Sequence, residues 1–188
     1  MEKRYVDTVR QLLEVAPTVF EDPGFAIKGG TAINLFLRDM PRLPLLGTSG
    51  RVVSLSSAAQ SPVDLDALSG RVSLSDNEAY AQSKLGLTMW SRSLALSLGD
   101  NGPVLVAVNP GSFLGSKMVK EAYGREGKDL SIGAEILTRA ALSDEFADAS
   151  GKYYDNDSGR FASPHRDALD DNKLRELVRV IEAQLVAN

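Results

Sequence analysis

Tyr80 and Lys84 stand four places apart in "EAYAQSKLGLTMW" (78–90), with only small or polar residues between them. On a helix this spacing puts both side chains on one face, about one turn apart. A free tyrosine titrates near about 10, too high for proton exchange at neutral pH. A neighbouring ammonium favours the phenolate and lowers that value. The pair can therefore be a proton donor with the cation that tunes it. The plainer account is a tyrosine capping the core beside a solvated lysine.

Two further stretches bear on the choice. "GRVVSLSS" (50–57) is a short β-branched run after a glycine turn, and it ends in Ser56 and Ser57. "PVLVAVNPG" (103–111) is an unbroken apolar run that breaks sharply at Asn109-Pro110-Gly111. Apolar runs of this kind suit strands covered on both faces, as in parallel sheets. Such sheets present ligand-facing groups at their carboxyl edge. A serine hydroxyl, a tuned tyrosine and a backbone turn then converge on one rim. Ser, Asn, Pro and Gly are also common wherever strands run into loops. Three features in the right order outweigh that reading.

The elements that must position these residues follow from the pattern of apolar positions. Residues 77–98 predict a long helix, ended by "GDNG" (99–102). Residues 131–142 read as a second helix and "GKYYD" (151–155) as a third short strand. Asp170–Asn172 can cap a last helix with Leu174, Leu177, Val178, Ile181 and Leu185 on one face. "SPVDLDALSG" (61–70) reads as a loop. From residue 50 the order is β-α-β-α-β-α, which implies a parallel α/β sheet of about three strands with flanking helices. Upstream, Val6, Val9, Leu12, Leu13 and Val15 fall near helical spacing. A further helix runs from near Gly30 through "TAINLFLRDM" to Pro41. The two prolines of "PRLPLLGTS" (41–49) mark the one candidate boundary.

Composition narrows the classes of function. The chain has 188 residues, 43% hydrophobic and 24% charged, which matches one globular domain of ordinary size. Its net charge of −4 gives no bulk attraction to nucleic acid or to anionic membrane. With no cysteine and a single histidine, His165, thiolate chemistry, cysteine-ligated zinc and any site of two imidazoles are excluded. No run approaches the roughly 20 apolar residues of a membrane span, and the start does not read as a signal peptide. The expected location is the cytoplasm.

"GRVVSLSSAA", "AYAQSKLGLTMWSRSLA", "VAVNPGS" and "ASGKYYDNDSG" together resemble the short-chain dehydrogenase/reductase family. The resemblance covers about residues 44–188. It implies a partial Rossmann-like doubly wound sheet and NAD(P)-dependent interconversion of an alcohol and a carbonyl. By resemblance Ser57 is the catalytic serine, Tyr80 the proton donor/acceptor and Lys84 the residue that binds the cofactor ribose. Pro110 and Gly111 border the nicotinamide. The 22 residues between Ser57 and Tyr80 resemble the longer loop of retinol-dehydrogenase-like members. Implied partners are NAD or NADP and a small alcohol or carbonyl, with a homo-oligomer left open. Three positions depart from the pattern: Ser54 stands where asparagine is usual, Gly115 where threonine is frequent, and Gly86 where alanine is usual. Gly86 costs its helix about 1 kcal/mol. The family's opening strand, its glycine-rich turn and the helix that holds the cofactor pyrophosphate have no counterpart in this sequence.

"FAIKGGTAINLFLRDMPRL" (25–43) instead resembles the start of abortive-infection nucleotidyltransferase toxins of the AbiEii type. That resemblance implies a Gly-Gly-Thr turn beside nucleotide phosphates and a paired Asp-x-Asp metal site soon after "PRL". Asp64 and Asp66 imitate the pair, but lie some twenty residues late and read as a solvated loop. "DNDSGRF" (155–161) resembles the start of a calcium loop, with its glycine one place early and Arg166 where a bidentate glutamate is needed. It reads as a surface turn. No metal site is expected, and His165, after Pro164, is expected at the surface. The whole reads as a toxin-like helical segment (1–43) joined to the C-terminal half of a dehydrogenase (44–188). Catalysis is impaired or absent as encoded. Two alternatives remain: a truncated nucleotidyltransferase-type toxin fragment, or a non-catalytic interaction module.

Overall fold

The computed structural model describes residues 50–116, 119–120, 124 and 126–186. The predicted helices before residue 41, the boundary at 41–49 and the toxin-like stretch lie outside the described residues. Strands β1 (Arg51–Leu55) and β2 (Val104–Asn109) run parallel, Arg51 paired with Val104 and Leu55 with Val108. On the far side of β2, β3 (Tyr153–Asp155) is also parallel, Ala107 pairing with Tyr153. The sheet order is β1-β2-β3-β4, and β4 (Arg160–Ala162) is antiparallel to β3. The expected three parallel strands are present. The fourth was not expected, because three residues with no alternation carry no strand signal of their own.

Among the described residues, helices α1 (Leu65–Leu68), α2 (Asp76–Leu98), α3 (Leu130–Leu142) and α4 (Asp171–Val186) accompany the sheet. The loop expected at 61–70 is corrected by α1. There the Asp64 carboxylate accepts the amides of Asp66 and Ala67, enough to start one turn but not to extend it. Helix α2 begins at a capping box in which Ser75 and Glu78 satisfy each other's backbone amides. It ends at Gly99, whose φ of 53° suits a residue with no Cβ. The Asp170 carboxylate caps α4 by accepting the amides of Asn172 and Lys173.

The two faces of the sheet are covered differently. Val106, Val108 and Tyr154 pack against Ile136 and Ala140 of α3 together with Phe146 and Ala149. Phe146, Tyr154 and Phe161 form an aromatic trio with centroids 5.0–5.2 Å apart. On the opposite face, Val52 and Leu105 meet Ala95 of α2. Leu85 and Met89 of the same helix pack on Leu174 and Leu177 of α4. This is an α/β doubly wound sheet, mostly parallel. Because α2 and α3 lie on opposite faces while both crossovers step the same way across the sheet, the two crossovers have opposite hands. One of them has the hand that parallel sheets rarely use.

Candidate active site

The connections leaving β1 and β2 lead to helices on opposite faces of the sheet, and the candidate residues follow the carboxyl ends of these two strands. Ser56 and Ser57 follow the end of β1. Ser56 is fully buried, and its hydroxyl shares a 2.7 Å hydrogen bond with Thr88 of α2. Ser57 is half-buried. Its hydroxyl accepts the Ala59 amide at 3.1 Å, while its carbonyl accepts Tyr153 Oη at 3.1 Å and Gln60 Nε2 at 2.9 Å. The Ser56 amide donates to the Val108 carbonyl at 2.8 Å, so the two strand ends are directly joined.

Tyr80 and Lys84 lie in the first half of α2. Lys84 Nζ sits 5.5 Å from the centre of the Tyr80 ring and donates to the Leu55 carbonyl at 2.9 Å. The ammonium is thus shared between a ring face and the last residue of β1. Burial lowers the Lys84 pKa, since desolvation disfavours the charged form. Tyr80 is half-buried, and among the described residues its hydroxyl has no hydrogen bond. The structure therefore joins Lys84 to Tyr80 and to the end of β1. Ser57 lies two residues beyond that carbonyl, with no direct bond to either side chain.

At the end of β2, Asn109 is fully buried, and its amide group donates to Asp155 at 2.7 Å and to Asp157 at 3.0 Å. Its side-chain oxygen accepts the Gly111 amide. Gly111 has φ of 127°, a conformation open to glycine and strained for other residues. Behind the turn, α3 packs closely because Gly133 has no Cβ; one there would meet Leu114 Cδ1 at 2.7 Å. Asp157 also accepts the Ser112 amide and hydroxyl and, at 3.4 Å, Lys128 Nζ. Partial burial pushes the Asp157 carboxyl up, but the bonds from Ser112, Asn109 and Lys128 prevail and hold it at about 2. Asp155 is likewise lowered: burial opposes, and Ser158, Asn109 and the Asp157 amide outweigh it.

Two of the unusual residues, Gly115 and Ser54, have a local cause. A Cβ at Gly115 would lie 2.5 Å from the Glu126 carbonyl oxygen, so the backbone there admits only glycine. Ser54 is buried and hydrogen-bonded to Ser91 of α2 at 3.2 Å. The decoys resolve as well. Asp64 caps α1 and Asp66 pairs with Arg71. "DNDSG" is the turn between β3 and β4. His165 is not exposed as expected; its side chain is half-buried because Nδ1 accepts the Asp167 amide and caps the 3-10 turn Arg166–Leu169. Among the described residues no group of three His, Asp or Glu is placed to hold a metal. Sequence reasoning missed Thr88, Tyr153, Asp155 and Asp157. For the last two a signal existed, since an aspartate ending a strand of a parallel sheet, with a second two residues on, falls at the carboxyl edge.

No family model matches the chain. It is 27% identical to human retinol dehydrogenase 13 over 144 residues, 68% of this chain and 43% of that protein. It is 31% identical to mouse retinol dehydrogenase 12 over 115 residues, 55% of this chain and 36% of that protein. A crystal structure of a short chain dehydrogenase from Burkholderia cenocepacia in complex with NADP shares 22% identity, covering 66% of this chain and 53% of the other, with a TM-score of 0.37. The chain spans less than half the length of the curated relatives it matches, and its similarity is to retinol dehydrogenases.

Proposed function

We propose that residues 44–188 are the reaction-side half of an NAD(P)-dependent oxidoreductase acting on a small alcohol or carbonyl, and that residues 1–43 are a toxin-like helical segment joined to it. The observation that carries the reading is Lys84, which bridges the Tyr80 ring and the end of β1 beside Ser57. In the proposed chemistry Ser57 Oγ donates to the carbonyl oxygen of the substrate and Tyr80 Oη gives or takes the proton there. Lys84, standing over the Tyr80 ring, assists that proton transfer. Pro110 and Gly111 border the nicotinamide, and Lys84 together with Tyr80 engages its ribose. The bound dinucleotide supplies or accepts the hydride. The proposed location is the cytoplasm; no helix among the described residues is long and apolar enough to cross a membrane.

The residues present fit only the nicotinamide–ribose end of the dinucleotide. The sequence has no glycine-rich turn for the pyrophosphate. A few hydrogen bonds, each contributing about 0.5–1.5 kcal/mol net, do not offset the entropy of fixing so large a ligand. The isolated chain should therefore bind NADH and NADPH at millimolar concentration or not at all, and should not turn over. Calorimetric titration with both tests this. Saturable NADPH oxidation abolished by Tyr80→Phe would overturn the proposed inactivity and uphold the assigned residues. Saturable oxidation unchanged by Tyr80→Phe would sink the assignment itself.

A further inference from the structure

The β3–β4 hairpin supplies no group to the proposed chemistry, yet its side chains and backbone reach both strand ends of the site. Tyr153 is buried at 6% exposure, and its hydroxyl reaches the Ser57 carbonyl, 96 residues away in the chain. Burial first, then Asp155 and Asp157, with Gln60 opposing, push the Tyr153 pKa up to about 12, so the hydroxyl stays a donor. Two and four residues on, Asp155 and Asp157 accept both hydrogens of the Asn109 amide group. Asn156 Nδ2 donates to the Pro110 carbonyl at 2.9 Å, and the Asn156 amide to the Asn109 carbonyl at 3.1 Å. Asp157 then takes the Ser112 amide and hydroxyl. A solvated hairpin turn would leave these carboxylates in water. Here Asp155 accepts from Asn109 at the end of β2, and Asp157 accepts from Asn109 and from Ser112 beyond it.

We infer that the hairpin is the positioning element of the site: Tyr153 sets the backbone of Ser57, and Asp157 sets the Pro110–Gly111 turn. The inference rests on reading Ser57 and Pro110–Gly111 as the reacting rim. Both residues act through others, and neither touches substrate. Four charged or titratable groups share this corner: Asp155, Asp157 and Tyr153 from the hairpin, and Lys128 from the segment before α3.

The test is amide hydrogen exchange on the purified full chain at neutral pH, comparing Tyr153→Phe, Asp157→Ala and Asp157→Glu with the parent. Losing one such bond should speed local opening by about tenfold. Tyr153→Phe should do so at residues 57–60 alone, and Asp157→Ala at residues 111–116 alone, with exchange in α2 unchanged. Asp157→Glu keeps the charge and the acceptors, and should restore most of the protection. Unchanged exchange at both segments overturns the inference. So does a uniform rise in which Asp157→Glu behaves like Asp157→Ala, since that pattern marks general destabilisation. Saturable NADPH oxidation unchanged by Tyr80→Phe would sink the proposed site assignment alone and leaves these exchange patterns as they are.

Discussion

The two strand ends that form the candidate site are held by different chemistry. The end of β1 is fixed by mostly neutral groups: Thr88 on Ser56, Tyr153 and Gln60 on the Ser57 carbonyl, and one half-buried cation, Lys84, on Leu55. The end of β2 is fixed by two carboxylates around the Asn109 amide, with Ser112 and Lys128 at the margin. Bonds to charged groups are stronger than neutral ones, and they depend on pH. The β2 end is therefore the more tightly held near neutrality and the first to loosen in acid.

The largest expected effect is that of Asn109→Ala. It removes both shared hydrogens and leaves Asp155 and Asp157 facing each other, a loss of about 2–4 kcal/mol in denaturant unfolding. A loss no greater than that of the β1-end variant would break the contrast. That variant is Thr88→Val, which deprives the Ser56 hydroxyl of its partner and should cost about 1–2 kcal/mol. Gly86→Ala should move the other way. The new methyl would meet Val63 Cγ2 at 3.7 Å, an ordinary contact, and the helix should gain up to about 1 kcal/mol in thermal unfolding.

Acid gives the sharpest separation of the two ends. The folded-state pKa values of Asp155 and Asp157 lie below the ordinary value of 3.8, so their contribution is full above that value. It is lost as pH falls from there through about 2, where Asp157 takes up its proton. Proton chemical shifts of the Ser112 amide should follow that window, while the Ala59 amide at the β1 end stays flat. Parallel titration of both amides would refute the distinction. Lys84 gives a pH dependence in the same direction, in its own alkaline window and for a different reason. Its lowered pKa means that folding disfavours its charge, so the cost of burying it is relieved as pH rises through the folded value. Lys84→Met should accordingly change stability by less than about 1 kcal/mol, the smallest effect of the series.

How much of this was legible in the sequence depends on the range of each interaction. Unbroken apolar runs gave away β1 and β2, and helical periodicity with a terminal glycine gave away α2 to within a residue at its start. The Tyr80–Lys84 spacing is local, so its shared helix face was readable too. The Tyr153–Ser57 bond joins residues far apart, and nothing near either one announces it. Asp155 and Asp157 stand in a stretch whose local pattern resembles a calcium loop. As hydrogen-bond acceptors for Asn109 they need the fold before they make sense. His165 was misplaced for a related reason: a side chain that caps a 3-10 turn is drawn inward by one backbone amide.

The short turn between β3 and β4 also bears on the order of assembly. Tyr153 pairs with Ala162 and Asp155 with Arg160, so this hairpin closes a small loop and can form on a microsecond scale. The parallel pairs of β1 with β2 and β2 with β3 must each close a long excursion through a helix, and parallel pairing of this kind is slow. The hairpin can then exist before the sheet does, with Asp155 and Asp157 repelling each other until Asn109 arrives. Docking of β2 relieves that repulsion. Refolding at high ionic strength, which screens the two carboxylates, should speed the early hairpin step and lessen the relief that docking of Asn109 brings.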